Sequence, residues 1–231
     1  QILKNYKNFY FEKMDICNKK KLEIIFKKNN PDFVINLAAV AGVRDSINNP
    51  GPYIQTNLVG FGNIIHLSKL YKVKHFVYAS SSSVYGGNTK KIAEETDVVD
   101  RPVSLYGATK KSNELIAFNY SKLFSLPTTG LRFFTVYGPW GRPDMALFMF
   151  VDAIIKGKKI NVFNRGKMSR DFTYIDDIVD GVINVLNKPS ISKNTPYSIF
   201  NIGSGKSVKL MDFIKEIEKN LKILSKKRLM P

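Results

Sequence analysis

Cysteine is all but missing from this chain. Cys17 stands alone among 231 residues, which excludes an internal disulfide and a cysteine-based metal site and points to a reducing, cytoplasmic setting. Histidine is nearly as scarce: His66 lies inside a helical pattern and His75 opens a strand, and both read as structural residues. No metal site is expected. No apolar run approaches the ~20 residues that cross a bilayer, and the opening Gln1–Tyr10 lacks the pattern of a signal peptide. Acidic side chains are few, 19 against 36 Lys and Arg, which gives a net charge of +17. Nucleic-acid binding needs such charge gathered on one face. Here it is spread along the chain, as at Lys27-Lys28, Lys158-Lys159 and Lys226-Lys227-Arg228, at predicted helix ends and turns. A solvated surface accounts for it, and no nucleic-acid partner is expected.

What is present alternates. Phe33–Ala38, Phe76–Ala79 and Thr129–Phe134 are short, mostly apolar segments bounded by turn residues, and they read as buried parallel strands. The pattern predicts helices over Lys20–Asn29, Gly51–Tyr71 and Ser104–Phe124 between them. Such alternation builds an α/β fold, a Rossmann-like doubly wound parallel sheet whose ligand crevice lies beyond the carboxyl ends of the strands. Beyond Gly138 the pattern loosens. Helices follow near Ala146–Lys156, Ile175–Leu186 and Leu210–Leu224, with strands near Ile160–Phe163 and Ser198–Asn201. The expected division is a sheet domain over 1–138 and a smaller lobe over 139–231, with segments near 160–186 returning to the sheet domain.

A further absence concerns glycine. A dinucleotide fold begins with a strand, a glycine-rich turn and a helix whose N-terminus holds the pyrophosphate. No Gly-x-x-Gly-x-x-Gly occurs here, and the chain opens at Gln1 in what reads as a loop before a third strand. Residues 1–231 are therefore expected to be a fragment lacking a strand, the turn, a helix and a second strand, on the order of 50 residues.

The chemistry is carried by Tyr106-Gly-Ala-Thr-Lys110, which begins 25 residues after Ser81 in the serine run at the end of the Phe76 strand. A Tyr and a Lys four apart on a helix share one face. A free tyrosine titrates near ~10, and a neighbouring ammonium lowers this by favouring the phenolate. The pair makes a general base for a sugar or alcohol hydroxyl near neutral pH. A serine at the strand end supplies a second hydrogen bond to the same oxygen.

These residues, with Ala41-Gly-Val-Arg44, the segment from Arg132 to Pro143 and Arg170-Asp-Phe-Thr-Tyr-Ile-Asp-Asp177, resemble the extended short-chain dehydrogenase/reductase superfamily. Within it the chain is similar to the UDP-glucuronate 4-epimerases, nucleotide-sugar epimerases of capsule and cell-wall polysaccharide synthesis. The resemblance runs from about Asn8 to Pro231. It implies a homodimer that holds NAD, binds a UDP-sugar and inverts C4 through a 4-keto intermediate. Tyr106 would be the base, Lys110 its partner and a ligand of the nicotinamide ribose, and Ser81 the residue that steadies the 4-oxygen, with Ser82 and Ser83 beside it against the substrate. Cofactor positions map to Asp15 and Ile16 near the adenine, Leu37-Ala38-Ala39 on the pyrophosphate side, Asn57 and Phe134. Substrate positions map to Thr135 and Arg142 at the hexuronate carboxylate, Arg44 in the same pocket, Val162 and Phe163 at the uracil and Arg170 at the diphosphate. Ser82 and Ser83 stand where 4,6-dehydratases usually carry Asp-Glu, and UDP-glucuronate decarboxylases usually carry Glu near the same place. Thr135 stands where UDP-galactose-type epimerases usually have Asn. Residues 1–231 alone are expected neither to retain NAD nor to epimerise sugars.

Overall fold

A computed structural model describes residues 2–87 and 92–231. The chain divides into two compact units. The first comprises Gln1–Gly87, Val99–Gly130 and Pro189–Ser198, and the second Asn88–Val98, Leu131–Lys188 and Ile199–Pro231. In chain order the elements are α1 (Lys19–Asn29), β1 (Phe33–Asn36), α2 (Asp45–Asn48), α3 (Pro50–Ile54), a π-helical segment (Gln55–Gly60), α4 (Phe61–Leu70), β2 (His75–Ser81), α5 (Leu105–Phe124) and β3 (Thr128–Phe133). There follow β4 (Thr135–Tyr137), α6 (Ala146–Ile155), β5 (Lys159–Val162), β6 (Ser169–Tyr174), α7 (Ile175–Leu186), β7 (Tyr197–Ile202), β8 (Ser207–Lys209), α8 (Leu210–Leu221) and β9 (Lys226–Leu229).

The sheet of the first unit runs β1-β2-β3-β7, to which β3 and β7 contribute their opening residues. β1 and β2 are parallel, with Phe33 opposite His75 and Asn36 opposite Tyr78. β2 is a central strand, and all of its residues but Ala79 are buried, which matches its apolar run. Phe61 meets Phe76 and Tyr78 edge-on with centroids 5.7 and 5.4 Å apart. Burying one such side chain contributes about 1.5–3 kcal/mol. Gly130 on β3 leaves room for this cluster, since a Cβ there would stand 2.6 Å from the Tyr78 hydroxyl. The helix ends follow local chemistry. Asn18 accepts from Lys21 N to start α1, Asn30 closes it at φ 40°, and Ser104 accepts from Gly107 N to start α5.

Two expectations need correction. The β1 segment reads as buried, yet β1 is the edge of the sheet, with Phe33 43% and Ile35 37% exposed, and it ends at Asn36 rather than Ala38. Asp15, which the resemblance puts near the adenine at the mouth of the sheet, follows no strand: residues 9–15 form neither helix nor strand.

In the second unit β4 pairs parallel with β6, β6 antiparallel with β8, and β5 parallel with β9. Phe150 and Ile154 of α6, Ile160 and Val162 of β5, and Leu210, Ile214 and Ile217 of α8 form its core. Among the described residues no helix is long and apolar enough to cross a membrane.

Candidate active site

In the first unit the opening of α5 lies against the end of β2. Lys110 is 3% exposed, and its Nζ donates to the Ala79 carbonyl at 2.8 Å and stands 5.9 Å from the Tyr106 ring centroid. Burial pulls its pKa down from 10.5 to about 8, so it is still a cation at neutral pH. An ammonium has three donors, and one goes to Ala79. Gly107 makes the approach possible. A Cβ there would stand 2.6 Å from the Ser83 carbonyl and 3.1 Å from Pro102 Cβ. Ser81 is buried at the strand end and its Oγ accepts from Ser83 N at 3.1 Å. A hydroxyl that accepts one bond retains its own proton to donate. Ser82 and Ser83 open a single turn of 3-10 helix and are half-buried. Tyr106 is half-buried, its backbone N–H donates to Ser46 Oγ at 3.2 Å, and its ring meets Tyr53 edge-on at 6.3 Å.

Ser46 and Tyr53 tie the Ala41–Asn49 loop to this point. The Tyr53 hydroxyl is shared between the Gly42 carbonyl at 2.9 Å and the Asp45 carboxylate at 3.0 Å, and Ser46 Oγ donates to Val43 O. Arg44 is exposed, directly ahead of the short α2. Leu37 and Ala38 are exposed and Ala39 half-buried, just past the carboxyl end of β1. Asn57 is 1% exposed and clamps the next residue: its Oδ1 accepts from Val40 N at 2.8 Å, while Nδ2 donates to Val40 O and Thr109 Oγ1, both at 3.0 Å. The geometry gives Asn57 a scaffolding task that the sequence did not suggest. It sits in the π-helical segment, a wide turn of the kind often found at functional sites. Asp15 caps the backbone N–H of Cys17 at 2.8 Å, and Asn63 Nδ2 donates to the carbonyls of Ile16 and Cys17.

The second unit carries the other candidates. Phe134 N donates to Ile202 O at 3.2 Å, and Thr135 opens β4 opposite Phe172 of β6. Arg142 closes its fork on Asp144: Nε lies 2.9 Å from one carboxylate oxygen and Nη2 donates to the other. This guanidinium holds the Asp144 carboxyl below its ordinary value. Val162 packs in the core and its carbonyl accepts from Met230 N at 2.8 Å, whereas Phe163 beyond it is half-buried. Arg170 is exposed on β6. Its neighbour Asp171 accepts from Thr173 Oγ1, from the N–H and hydroxyl of Ser204 and from Gly205 N at 2.8–2.9 Å. Asp171 thus anchors the loop after β7.

Known proteins resemble this chain in sequence and in fold. A model of the NAD dependent epimerase/dehydratase family matches residues 3–203. The chain belongs to this family. It is 51% identical to Protein CapI of Staphylococcus aureus over 227 residues, which is 93% of this chain and 68% of that one. It is 48% identical to the "Probable UDP-glucuronate 4-epimerase" of Rhizobium meliloti (strain 1021), covering 82% of this chain and 60% of that one. The structure of UDP-glucuronic acid 4-epimerase from Bacillus cereus, in complex with UDP-glucuronic acid and NAD, superposes with a TM-score of 0.89 at 33% identity, over 99% of this chain and 71% of that one.

For an epimerase/dehydratase family member, the residues that sequence reasoning missed are those that hold others in place. Gly107, Ser46 and Tyr53 set Tyr106, and Asp171 sets the loop of Ser204. Gly107 alone left a local signal, a glycine directly after the tyrosine in a helix that has no other need for one. Among the described residues no group of His, Cys, Asp and Glu could hold a metal ion.

Proposed function

We propose that this protein is an NAD-dependent UDP-glucuronate 4-epimerase. The observation that carries the reading is the α5–β2 contact, where a buried cationic Lys110 lies beside Tyr106 and a proton-bearing Ser81 closes the strand end. The first unit serves NAD and the chemistry. The residues fit that cofactor: the exposed segment at Leu37-Ala38 lies beyond the carboxyl end of a parallel strand, where dinucleotides bind, and Lys110 keeps donors for a ribose hydroxyl. When bound, NAD takes up the hydride from C4 and returns it.

The chain's own residues handle the proton. Tyr106, as phenolate, removes the proton of the 4-hydroxyl while C4 is oxidised to the ketone. Ser81 donates to the same oxygen, which keeps it in line. Lys110 favours the phenolate by its charge and accompanies Tyr106 through both half-reactions. After the ketone turns over, Tyr106 gives the proton back and the opposite configuration results.

The second unit serves the UDP-sugar. Arg142 already presents its Nε–Nη2 edge to a carboxylate, that of Asp144, which is the geometry a hexuronate carboxylate requires. Thr135 is assigned to the same carboxylate, Arg170 to the diphosphate and Phe163 to the uracil. A cytoplasmic homodimer belongs to this reading, supported by the single cysteine and by exposed Leu115, Phe118 and Leu123 on α5.

The test is direct. The complete protein, given NAD and UDP-glucuronate, should yield UDP-galacturonate on anion-exchange chromatography and the same mixture from either side. Turnover of UDP-glucose with none of UDP-glucuronate would overturn the assignment.

A further inference from the structure

Glu114 is a buried carboxylate that the chemistry above does not use. It is 2% exposed, on α5 one turn beyond Lys110. Ser80, also 2% exposed, donates its hydroxyl to Glu114 Oε1 at 2.6 Å, and Lys111 Nζ lies 3.6 Å from Oε2. Residues four apart on a helix project from one face, so Lys110 and Glu114 reach β2 side by side. They grip consecutive residues, Ala79 through its carbonyl and Ser80 through its hydroxyl. The next residue is Ser81. Three points of α5 are therefore fixed on a five-residue stretch of chain: Gly107 under the Ser83 carbonyl, Lys110 on Ala79 and Glu114 on Ser80.

We propose that Glu114 is a positioning residue that locks the register of α5 on the end of β2 and thereby holds Tyr106 and Ser81 on one substrate oxygen. A carboxylate is costly to bury unless it is bonded or paired; Ser80 supplies a hydrogen bond here and Lys111 an ion pair at 3.6 Å. The lock needs an acceptor at Oε1 and not the charge itself, because a serine hydroxyl donates equally to an amide oxygen. Sliding the helix by a fraction of a turn would leave the residues assigned to the UDP-sugar's diphosphate and uracil untouched and spoil the alignment of the proton transfer. Misplacement of about 1 Å costs on the order of 10²-fold in rate. The inference rests on Tyr106 and Ser81 acting on the 4-oxygen.

The test compares Glu114→Ala, Glu114→Gln, Ser80→Ala and Tyr106→Phe in the complete, NAD-loaded protein. Glu114→Ala should lose roughly 10–100-fold in kcat with KM for UDP-glucuronate within about threefold, a loss confined to the transition state. Glu114→Gln should recover kcat to within about threefold of the parent. Ser80→Ala, which deletes one hydroxyl and leaves the packing alone, should repeat the kcat loss in milder form and keeps the test alive if Glu114→Ala does not fold. The inference is overturned if both alanine variants keep their kcat, if KM rises in step with the loss, or if Glu114→Gln is as slow as Glu114→Ala. Each of these would stand apart from failure of the underlying reading, which an active Tyr106→Phe alone would show.

Discussion

The two units hold their candidate residues in opposite ways. In the first unit Lys110 is 3% exposed, Asn57 1% and Glu114 2%, and each is bonded to backbone or to another buried side chain. In the second unit Arg142 and Asp144 pair with side chains 45% and 62% exposed, and Arg170 lies open on β6. On the proposed reading the difference follows from the tasks. Proton transfer tolerates little error in position, so its groups are fixed before substrate arrives. Recognition of an ionic group tolerates more, and a solvated arginine can exchange one carboxylate for another at small cost.

The comparison breaks most visibly at Tyr106. Tyr106→Phe removes one hydroxyl from a half-buried ring and should lower turnover by ~10²–10⁴-fold, with an unchanged melting temperature; turnover within a few fold of the parent would remove the base from the mechanism. Next comes Arg142→Ala. It should raise KM for UDP-glucuronate on the order of 10–100-fold, the range for an unpaired interfacial carboxylate discounted for exposure, and leave UDP-glucose binding nearly unchanged. Equal losses for the two sugars in a titration would show that Arg142 does not read the carboxylate.

A smaller effect sharpens the contrast. Asp144→Asn removes the carboxylate charge that competes for Arg142 and should tighten UDP-glucuronate binding by about 1.5–5-fold, the equivalent of a surface ion pair. Weaker binding would make Asp144 part of the site and not its competitor. The smallest effect lies away from the chemistry, at Glu218 of α8, which accepts from Lys227 Nζ and from Ser225 N and Oγ. Bonds to Lys227 and then Ser225 hold its carboxyl at about 2 against an ordinary 4.5. A depressed carboxyl contributes stability above its unfolded value and loses it as pH falls through the folded value. Glu218→Gln should therefore flatten the acid-side decline in stability between pH 4.5 and about 2, read by thermal melts, with turnover at neutral pH unchanged.

How far the sequence was legible depended on distance along the chain. α7 spans Ile175–Leu186, the segment its apolar period marks, and the Tyr106–Lys110 spacing is local to one helix. The short strands β4, β6, β8 and β9 left no such period. β9 is Lys-Lys-Arg-Leu and fully exposed, and only its pairing with β5 makes it a strand. α8 was read through Leu224 but ends at Leu221, where Lys222 takes a left-handed φ of 55°. In the site, the bonds that position the chemistry join residues far apart: Asn57 to Val40 across 17 positions, Glu114 to Ser80 across 34 and Asp171 to Ser204 across 33. No window of local pattern contains such pairs.

The π-helical segment at Gln55–Gly60 has a consequence for how this protein can change. A widened turn carries one residue more than an α-helical turn, so it acts as a phase shift between Tyr53 ahead of it and α4 behind it. Each residue of an α-helix advances the side chains by about 100°. Deleting any one residue there would regularise the helix and, at the same stroke, rotate Asn63 away from the carbonyls of Ile16 and Cys17 and swing Ile64, Ile65 and Leu67 out of the core. A change that improves the local hydrogen bonding would thus uncouple the two ends of the helix, and insertions or deletions should be tolerated in the surface loops long before they are tolerated here.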